Sequence, residues 1–589
     1  MAENIYAGPI GEEQLREFTR ILERYSAGRK KTADRILSSE NWWKLRNTLE
    51  ASRETELQKD GGFVSSSGWL HNVITSKHAD AMDAFPQAMF LPREESDRQE
   101  AKTLEQIIPC VLEQNDFEEV YSDAMWQKTK TGTGAYKIIW DPGKLRGVGD
   151  ISITCVNLLN LYWQPEIRDI QKSRYFFHTE LLDRDTVEKT YPEAAGKLKG
   201  QSFVSTRFLG DEQESGSDKI TVIEVYYHKP VAGKNTLQYC KYAGNQVLFA
   251  TENQLEPELD LLGNVVKEPL AVTGLYDHGL YPYVFDPLFP VEGSPCGYGY
   301  VDICRNPQIT IDLLKTSFVR NARVGATPRY FSRLDGNVQE TEFLDLSKPI
   351  VHVSGNLDEA TLRPVDYNPL SQVYVNVLQD TVQELRETSG NTETSTGNIN
   401  SGVTAAAAIA ALQRASGKGS RDASRGSYRA FSRLISMCVE LMRQFYDLPR
   451  KFRILGENGE SDFISYSNEH LKPQSQGESY GEDMGQRLPV FDIRILAQQK
   501  NAYSAMAQNE LALQLYQLGM FQPQMASQAL MCLEMMDFEG KDMLVRKISE
   551  NQKKDQMLAD YMDLALNLAT EPALRETILG DLKALGGSV

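Results

Sequence analysis

The chain has 589 residues, of which 41% are hydrophobic and 24% charged, so it is long enough for several domains with buried cores. Its 81 acidic and 63 basic side chains give a net charge of −18, which argues against a tight, sequence-reading DNA-binding protein. No apolar run approaches the ~20 residues of a membrane-spanning helix, and Met1–Tyr6 lacks the pattern of a secretion signal. The seven scattered cysteines form no Cys-x-x-Cys pair, which predicts reduced thiols in an intracellular protein.

The first 250 residues are predicted to begin with helices and to continue with strands. Helical periodicity runs through Gly11–Arg35, Asn41–Gln58 and Trp69–Phe90, and again from Ala101 to about Lys130, where Pro109 is expected to kink or divide the helix. From Gly132 onward, short apolar and β-branched runs predict strands, the last two of which form a hairpin. These strands are Ala135–Trp140, Asp150–Val156, Arg174–Thr179, Lys219–His228, Leu237–Tyr242 and Gln246–Thr251.

Two helices are predicted on either side of a short β-rich insert. The first begins at Pro307, with Asn306 as its N-cap, and ends near Arg323. The second spans Ser371–Glu387 and has one apolar and one acidic face. The apolar face comprises Val375, Leu378, Val382 and Leu385, and the acidic face comprises Asp380, Glu384 and Glu387. Because the insert is small, with strand-like runs near 329–333 and 361–365, this order predicts a helical stalk that carries a β tip.

A polar segment and a long basic helix come next. Residues 391–402 contain only Ile399 as a large apolar side chain, so burial cannot hold this segment in place. Helical periodicity then runs from Ala405, with Thr404 as N-cap, to Tyr446. One face of this helix carries basic residues at steps of three or four: Arg414, Lys418, Arg421, Arg425, Arg429 and Arg433. These like charges repel one another, so the row either stays solvated or faces phosphates or carboxylates of another surface.

The predicted order ends with strands at Arg450–Leu455 and Leu488–Leu496 and with a methionine-rich helical region from Lys500 to the end.

Local sequence signatures of catalysis or ligand binding are weak. Gly132-Thr-Gly134 and Gly297-Tyr-Gly299 are each half of a dinucleotide-binding fingerprint, and no phosphate loop of the Gly-x4-Gly-Lys-Ser/Thr type occurs. His71 and His78 share a helix face but lack the carboxylate or cysteine that would complete a metal site. We therefore predict no cofactor, no metal and no catalytic residue.

The runs Asn115–Met125 and Lys130–Pro142, together with Gly402–Gln413 and its basic continuation, resemble parts of tailed-bacteriophage portal proteins. The resemblance extends over about residues 70–500. It implies an α+β fold, a portal-like elongated subunit with a mixed α/β wing, a two-helix stem, a small β-rich clip and an all-helical C-terminal crown. By similarity, the wing comprises residues 1–300 and 404–499, the stem helices 301–326 and 369–390, the clip 327–368, the tunnel loop 391–403 and the crown 500–589.

The resemblance also implies a function. Portal proteins form typically dodecameric rings at one capsid vertex, through which a separate terminase motor threads double-stranded DNA. By similarity, this chain would be a non-enzymatic, homo-oligomeric channel subunit of the virion, assembled in the host cytoplasm and without contact to a membrane. Double-stranded DNA would pass through it non-specifically. Its protein partners would be the large terminase subunit, a head-completion or tail adaptor protein, and the major capsid and scaffolding proteins.

The resemblance assigns expected roles to two groups of residues. The channel would be lined by residues of the tunnel loop, namely Thr392, Thr394, Ser395, Asn398 and Asn400. The basic row from Arg414 to Arg433 would contact either DNA or a neighbouring copy, where Asp380, Glu384 or Glu387 could neutralise it.

Two other classes of function stay open from the sequence. An enzyme acting on nucleic acid or a small substrate would bring carboxylates or a catalytic triad together in a cleft, and such a triad need not be visible as a local motif. A ring-forming scaffold protein would lack a pore wide enough for a duplex. A monomer with hydrolytic activity would indicate the enzyme, whereas a closed ring with an axial pore would indicate the portal.

Overall fold

The computed structural model describes most residues before position 500 and a few after it. Described are residues 9–45, 66–198, 203, 219–231, 233–259, 265–326, 330–332, 362–364, 370–391, 418–455, 461–475, 478–479, 482–483, 486–499, 514, 517, 529–531, 545, 547–554 and 556–557. The chain divides into two compact units, Met1–Ala497 and Gln498–Val589. In the second unit, the longest described stretch, 547–554, is helical.

Ten helices are described in the first unit, apart from the irregular turn Lys144–Gly147 and the 3-10 segments. They are α1 (Glu12–Gly28), α2 (Lys30–Trp43), α3 (Trp69–Asp83), α4 (Arg98–Glu113), α5 (Phe117–Thr131), α6 (Arg184–Thr190), α7 (Leu270–Thr273), α8 (Tyr300–Ala326), α9 (Gln372–Ser389) and α10 (Lys418–Phe445).

The described strands form mainly antiparallel hairpins and two larger sheets. They are β1 (Ala84–Pro92), β2 (Thr133–Asp141), β3 (Asp150–Cys155), β4 (Leu161–Trp163), β5 (Tyr175–Asp183), β6 (Lys219–Val231), β7 (Lys234–Ala243), β8 (Gln246–Ala250), β9 (Glu258–Leu259), β10 (Val265–Lys267), β11 (Tyr283–Pro287), β12 (Phe289–Pro290), β13 (Gly297–Tyr298), β14 (Tyr330–Ser332), β15 (Leu362–Pro364), β16 (Arg450–Leu455), β17 (Ser461–Tyr466), β18 (Gln474–Ser475), β19 (Glu478–Ser479), β20 (Glu482–Asp483), β21 (Gln486–Arg487) and β22 (Phe491–Gln499).

The two larger sheets have the orders β11-β2-β3 and β4-β5-β6-β7-β8. All six strands predicted between residues 135 and 251 overlap observed strands of these sheets, and β7 and β8 form the predicted hairpin across Gly244 and Asn245. Helices α4, α5 and α10 bury apolar side chains in one core with the three-stranded sheet. Helix α1 covers the five-stranded sheet, where the Phe18 ring lies 5.4 Å from the ring of Tyr227. The fold is therefore a mixed helix and sheet structure, as the α+β prediction requires.

Several predicted helix boundaries were wrong. The helix predicted from 101 to 130 is divided at Gln114–Asp116, where Asp116 has a left-handed φ of 47°, and not at Pro109. Pro109 lies inside α4, since the buried side chains of Ile107, Ile108 and Val111 hold the helix on both sides of it. The helical prediction for Trp69–Phe90 is also too long, because β1 begins directly after Asp83.

The helix predicted from Pro307 begins seven residues earlier, at Tyr300, so Asn306 is not its N-cap. Asp302 supplies the missing hydrogen-bond acceptor at this end, because its Oδ2 accepts from the backbone N–H of Gly299 at 2.9 Å. Tyr300 and Cys304 are buried and hold the first turn. By contrast, α9 matches the predicted Ser371–Glu387 to within two residues at each end: the Ser371 hydroxyl accepts from the N–H of Val373, and Gly390 ends the helix with a φ of 68°.

The two glycine pairs that resemble halves of a dinucleotide fingerprint lie against each other, at the beginning of α8. A Cβ at Gly132 would lie 2.3 Å from the carbonyl carbon of Tyr298, and a Cβ at Gly299 would lie 2.6 Å from the carbonyl oxygen of Lys130. Arg35 donates to the carbonyl of Gly297 at 2.7 Å from the other side. These glycines permit two backbone segments to touch, which explains the motif without a phosphate ligand.

We expect the Gly299→Ala substitution to lower the free energy of unfolding by about 1–3 kcal/mol, because the added methyl group meets three backbone atoms within 2.9 Å. Gly419→Ala is the matched control, since a Cβ there meets no atom within 4 Å. In the helix this second substitution should be neutral or stabilise by up to about 1 kcal/mol. Chemical unfolding of both variants measures the difference, and equal midpoints would contradict the close backbone contact.

Acid should destabilise the loop before β11. Burial lowers the pKa of His278 to about 4, and its neutral Nδ1 accepts from the N–H of Leu280 at 2.9 Å. The unfolded chain takes up a proton near pH 6.5, whereas the folded chain resists it until about pH 4, so stability falls as the pH decreases through this window by up to about 3 kcal/mol.

The variant His278→Asn separates this effect from other titrations, because an asparagine oxygen can accept the same N–H without titrating. Unfolding midpoints of the variant should decrease less than those of the unsubstituted protein between pH 6.5 and 4. Identical pH profiles would show that His278 titrates normally.

Candidate functional site

Helix α10 is exposed along one face and buried along the other. Its buried residues include Phe431, Leu434, Ile435, Cys438 and Met442. The exposed face carries four arginines of the predicted basic row, namely Arg421, Arg425, Arg429 and Arg433. At about 1.5 Å per residue, the row extends over about 18 Å. Lys418 begins the helix, and Arg414 lies outside the described residues.

A buried ion pair fixes the rotation of α10. The ammonium group of Lys128, on α5, lies 2.7 Å from Oδ1 of Asp286, on β11, and the two side chains are 2% and 1% exposed. The same ammonium donates to the hydroxyl of Ser427 at 2.7 Å and to the carbonyl of Ala423 at 3.2 Å, both on α10. Because these two residues face Lys128, the arginines between and beyond them face outward.

This ion pair also perturbs its surroundings. Burial, followed by the charge of Asp286, raises the pKa of Tyr121, so this phenol stays protonated. A Cβ at Gly426 would lie 3.8 Å from the Lys128 ammonium, an ordinary contact distance, so the glycine is not needed for space.

Helix α9 carries the acidic residues. Asp380, Glu384 and Glu387 are exposed, whereas Leu385 is 1% exposed and packs with Ile311 of α8. Gln383 donates to Glu387 at 2.8 Å. Within the described part of the chain, no ion pair is formed by Asp380 or Glu384, nor by Arg425, Arg429 or Arg433. Among the described residues, neither row is therefore neutralised at these positions.

The beginning of α9 also exposes apolar side chains. Val373 is 63% exposed, Tyr374 47% and Val377 43%, and Leu313 of α8 is 37% exposed.

The predicted channel residues Thr392, Thr394, Ser395, Asn398 and Asn400 lie outside the described residues.

The other candidate sites from the sequence have packing roles. His71 stacks on Trp43 with a centroid distance of 4.3 Å, and His78 stacks on Trp126 at 3.8 Å. Burial lowers the pKa of His78, which accords with a neutral ring packed on tryptophan. In the residues that the structure describes, no group of histidine, cysteine, aspartate and glutamate is placed to hold a metal ion.

An open groove of about 390 Å³ lies between α5 and β3, and bears on the enzyme alternative. Asp116, Glu119 and Asp123 line it together with Lys144 and Cys155. The Lys144 ammonium is bound to the side-chain oxygen of Asn115 at 2.7 Å, and burial raises the pKa of Cys155 to about 12. The cysteine therefore stays a weakly nucleophilic thiol, and the groove lining contains no histidine that could act as its base.

Sequence reasoning missed the Lys128–Asp286–Ser427 cluster. Asp286 is 158 positions and Ser427 is 299 positions from Lys128, so no local pattern links the three residues. The one available signal was indirect: Ser427 and Ala423 alternate with the arginines in the helical periodicity of α10.

Comparison with known protein families gives one finding. The family model described as phage P22-like portal protein matches residues 80–261 and 340–572, which is most of the chain and includes β1–β8, α9 and α10. No curated protein matches the chain. Among the helices described here, none has the length and apolar character to cross a membrane.

The Lys128→Ala substitution should lower the free energy of unfolding by about 3–5 kcal/mol, because it leaves the Asp286 carboxylate buried without a counter-charge. Lys472→Ala is the control: this lysine pairs with Asp447 at 2.9 Å, but the side chains are 49% and 37% exposed, and its loss should cost about 0–1 kcal/mol. Urea unfolding of both variants measures the two values. Equal losses would contradict a central role of the buried pair.

Proposed function

The chain belongs to the family of phage P22-like portal proteins, and from this premise we propose that its copies close into a ring at one capsid vertex and that double-stranded DNA enters and leaves the capsid through it. The ring is a dodecamer that assembles in the host cytoplasm with the major capsid and scaffolding proteins. It provides the attachment surface for the large terminase subunit and for a head-completion or tail adaptor protein. The subunit itself is structural, and a separate terminase supplies the energy for DNA movement.

The proposal assigns regions of the chain to the parts of a portal subunit. Helices α8 and α9 are the stem, residues 327–368 between them are the clip, and 391–403 is the tunnel loop with Thr392, Thr394, Ser395, Asn398 and Asn400 toward the channel. Residues 1–300 and 404–499 form the wing, and 500–589 form the crown. Support comes from the two long helices α8 and α9, which pack on each other through Ile311, Leu378 and Leu385 on either side of the insert.

One observation supports ring closure most directly: each subunit exposes an arginine row on α10 and a carboxylate row on α9. In a cyclic ring, neighbouring copies touch through two different surfaces, so each subunit must present both halves of the contact. We propose that Arg421, Arg425, Arg429 and Arg433 of one copy face Asp380, Glu384 and Glu387 of the next. Each exposed pair contributes only about 0.2–1 kcal/mol, so the rows mainly select the orientation and register of the contact.

Contact with DNA is the second candidate role for the arginine row. Exposed arginines spaced along a helix bind phosphates without reading the sequence. The net charge of −18 in each copy opposes such binding, which would restrict contact to a few basic positions and let the duplex slide.

Charge reversal separates the two roles. We expect Arg425→Glu with Arg429→Glu to prevent ring assembly, because two attractive contacts per interface become repulsive. Adding Asp380→Lys and Glu384→Lys should restore rings, since the swapped rows attract again. Lys30→Glu with Lys31→Glu on α2 is the control, as it makes the same change of charge on two other exposed residues.

Native mass spectrometry and electron microscopy of these variants measure assembly, and the DNA content of particles measures passage. Intact rings with reduced DNA content would show that the arginine row contacts DNA and not a neighbouring copy. Intact rings with normal DNA content would exclude both roles for the row.

A further inference from the structure

One turn of α3 contacts both the end of α9 and the beginning of α10. The Ser76 hydroxyl donates to the side-chain oxygen of Asn391 at 2.8 Å, directly after α9. On the same turn, the Lys77 ammonium donates to the Ser420 hydroxyl at 3.1 Å, and Ser420 donates to Asp80 at 2.7 Å. Asn391 and Ser420 are 29 positions apart in the chain. They nevertheless contact adjacent residues of α3, namely Ser76 and Lys77.

Lys77 connects the two sides. It is 7% exposed, and its ammonium also lies 3.3 Å from Asp80, which balances its charge. A Cβ built on Gly390 would lie 3.6 Å from the same ammonium, so Lys77 lies between the end of α9 and Ser420. Its positive charge is favourable there, because the last carbonyl groups of a helix carry partial negative charge.

The end of α9 is well defined at this contact. The N–H of Gly390 donates to the carbonyl of Glu387, and the N–H of Asn391 donates to the carbonyl of Arg386, which is the Schellman arrangement. Asn391 is 9% exposed and Ser389 is 2% exposed. The side-chain contacts with α3 are therefore made by an ordered helix end.

We propose that Ser76, Lys77 and Asp80, the α3 cluster, are positioning residues that couple the end of α9 to the beginning of α10, so that a change at one end alters the other. The coupling passes through packed side chains and does not depend on the covalent path through residues 392–417. The consequence of this coupling rests on the proposed function: a movement of α9 in the ring shifts the arginine row on α10 of the same subunit.

Amide hydrogen exchange on the full-length protein tests the coupling. Within the described residues, Ser76→Ala removes the hydrogen bond between α3 and Asn391, whereas Ser420→Ala removes the hydrogen bonds that join the beginning of α10 to Lys77 and Asp80 of α3. If the ends are coupled, each variant raises exchange by about fivefold or more both in 386–391 and in 418–424, because binding energies between coupled sites are reciprocal. Lys77→Met should raise exchange at both ends directly.

Thr75→Ala is the matched control, since among the described residues the Thr75 hydroxyl bonds only to the carbonyl of His71 within α3. It should change exchange at neither end. The proposal is overturned if Ser76→Ala acts only on 386–391 and Ser420→Ala only on 418–424, or if both behave like Thr75→Ala. The measurement needs no ring and no DNA, so failure of the coupling and failure of the portal function are distinguishable.

Discussion

The buried ion pair between Lys128 and Asp286 is the constraint on which the arrangement of this subunit depends. Removing two charges from water is costly, and the cost is offset only where the geometry is good and further hydrogen bonds satisfy the ammonium group. Here the three ammonium hydrogens are taken by Asp286, by Ser427 and by the carbonyl of Ala423. Helix α10 therefore has one favourable rotation against the core, and its arginines face away from it.

The same small region also orients the helix proposed as the first part of the stem. Asp286 pairs with Gly134 across the β11–β2 ladder, and Gly134 touches the backbone of α5 at Ala124. Two residues before it, Gly132 meets the segment that begins α8. The directions of α8 and α10 are thus both determined at one end of β2. A disturbance of this junction should affect the acidic and the basic surfaces together.

Sequence patterns predicted what depends on neighbours in the chain. The strands of the larger sheets follow from apolar and β-branched runs, and both ends of α9 follow from Ser371 and Gly390. The predicted beginning of α8 was wrong. Asn306-Pro307 is a strong local signal for a helix start, but the tertiary burial of Tyr300 outweighs this signal and extends the helix. Contacts such as Lys128 with Asp286 could not be predicted, since alternation and capping carry no information on pairs 158 positions apart. The arginine row was visible as a spacing, but its partner is not encoded in that spacing.

We predict that many copies assemble around an open centre, in an orientation and register that the charged rows on α9 and α10 select. Electron microscopy of the purified protein, viewed down the assembly axis, tests this most directly. The predicted image is a closed ring with a pore wide enough for double-stranded DNA and with α10 of each copy against α9 of the next. Single 66.4 kDa subunits under conditions that support particle assembly, or rings without such a pore, would contradict it.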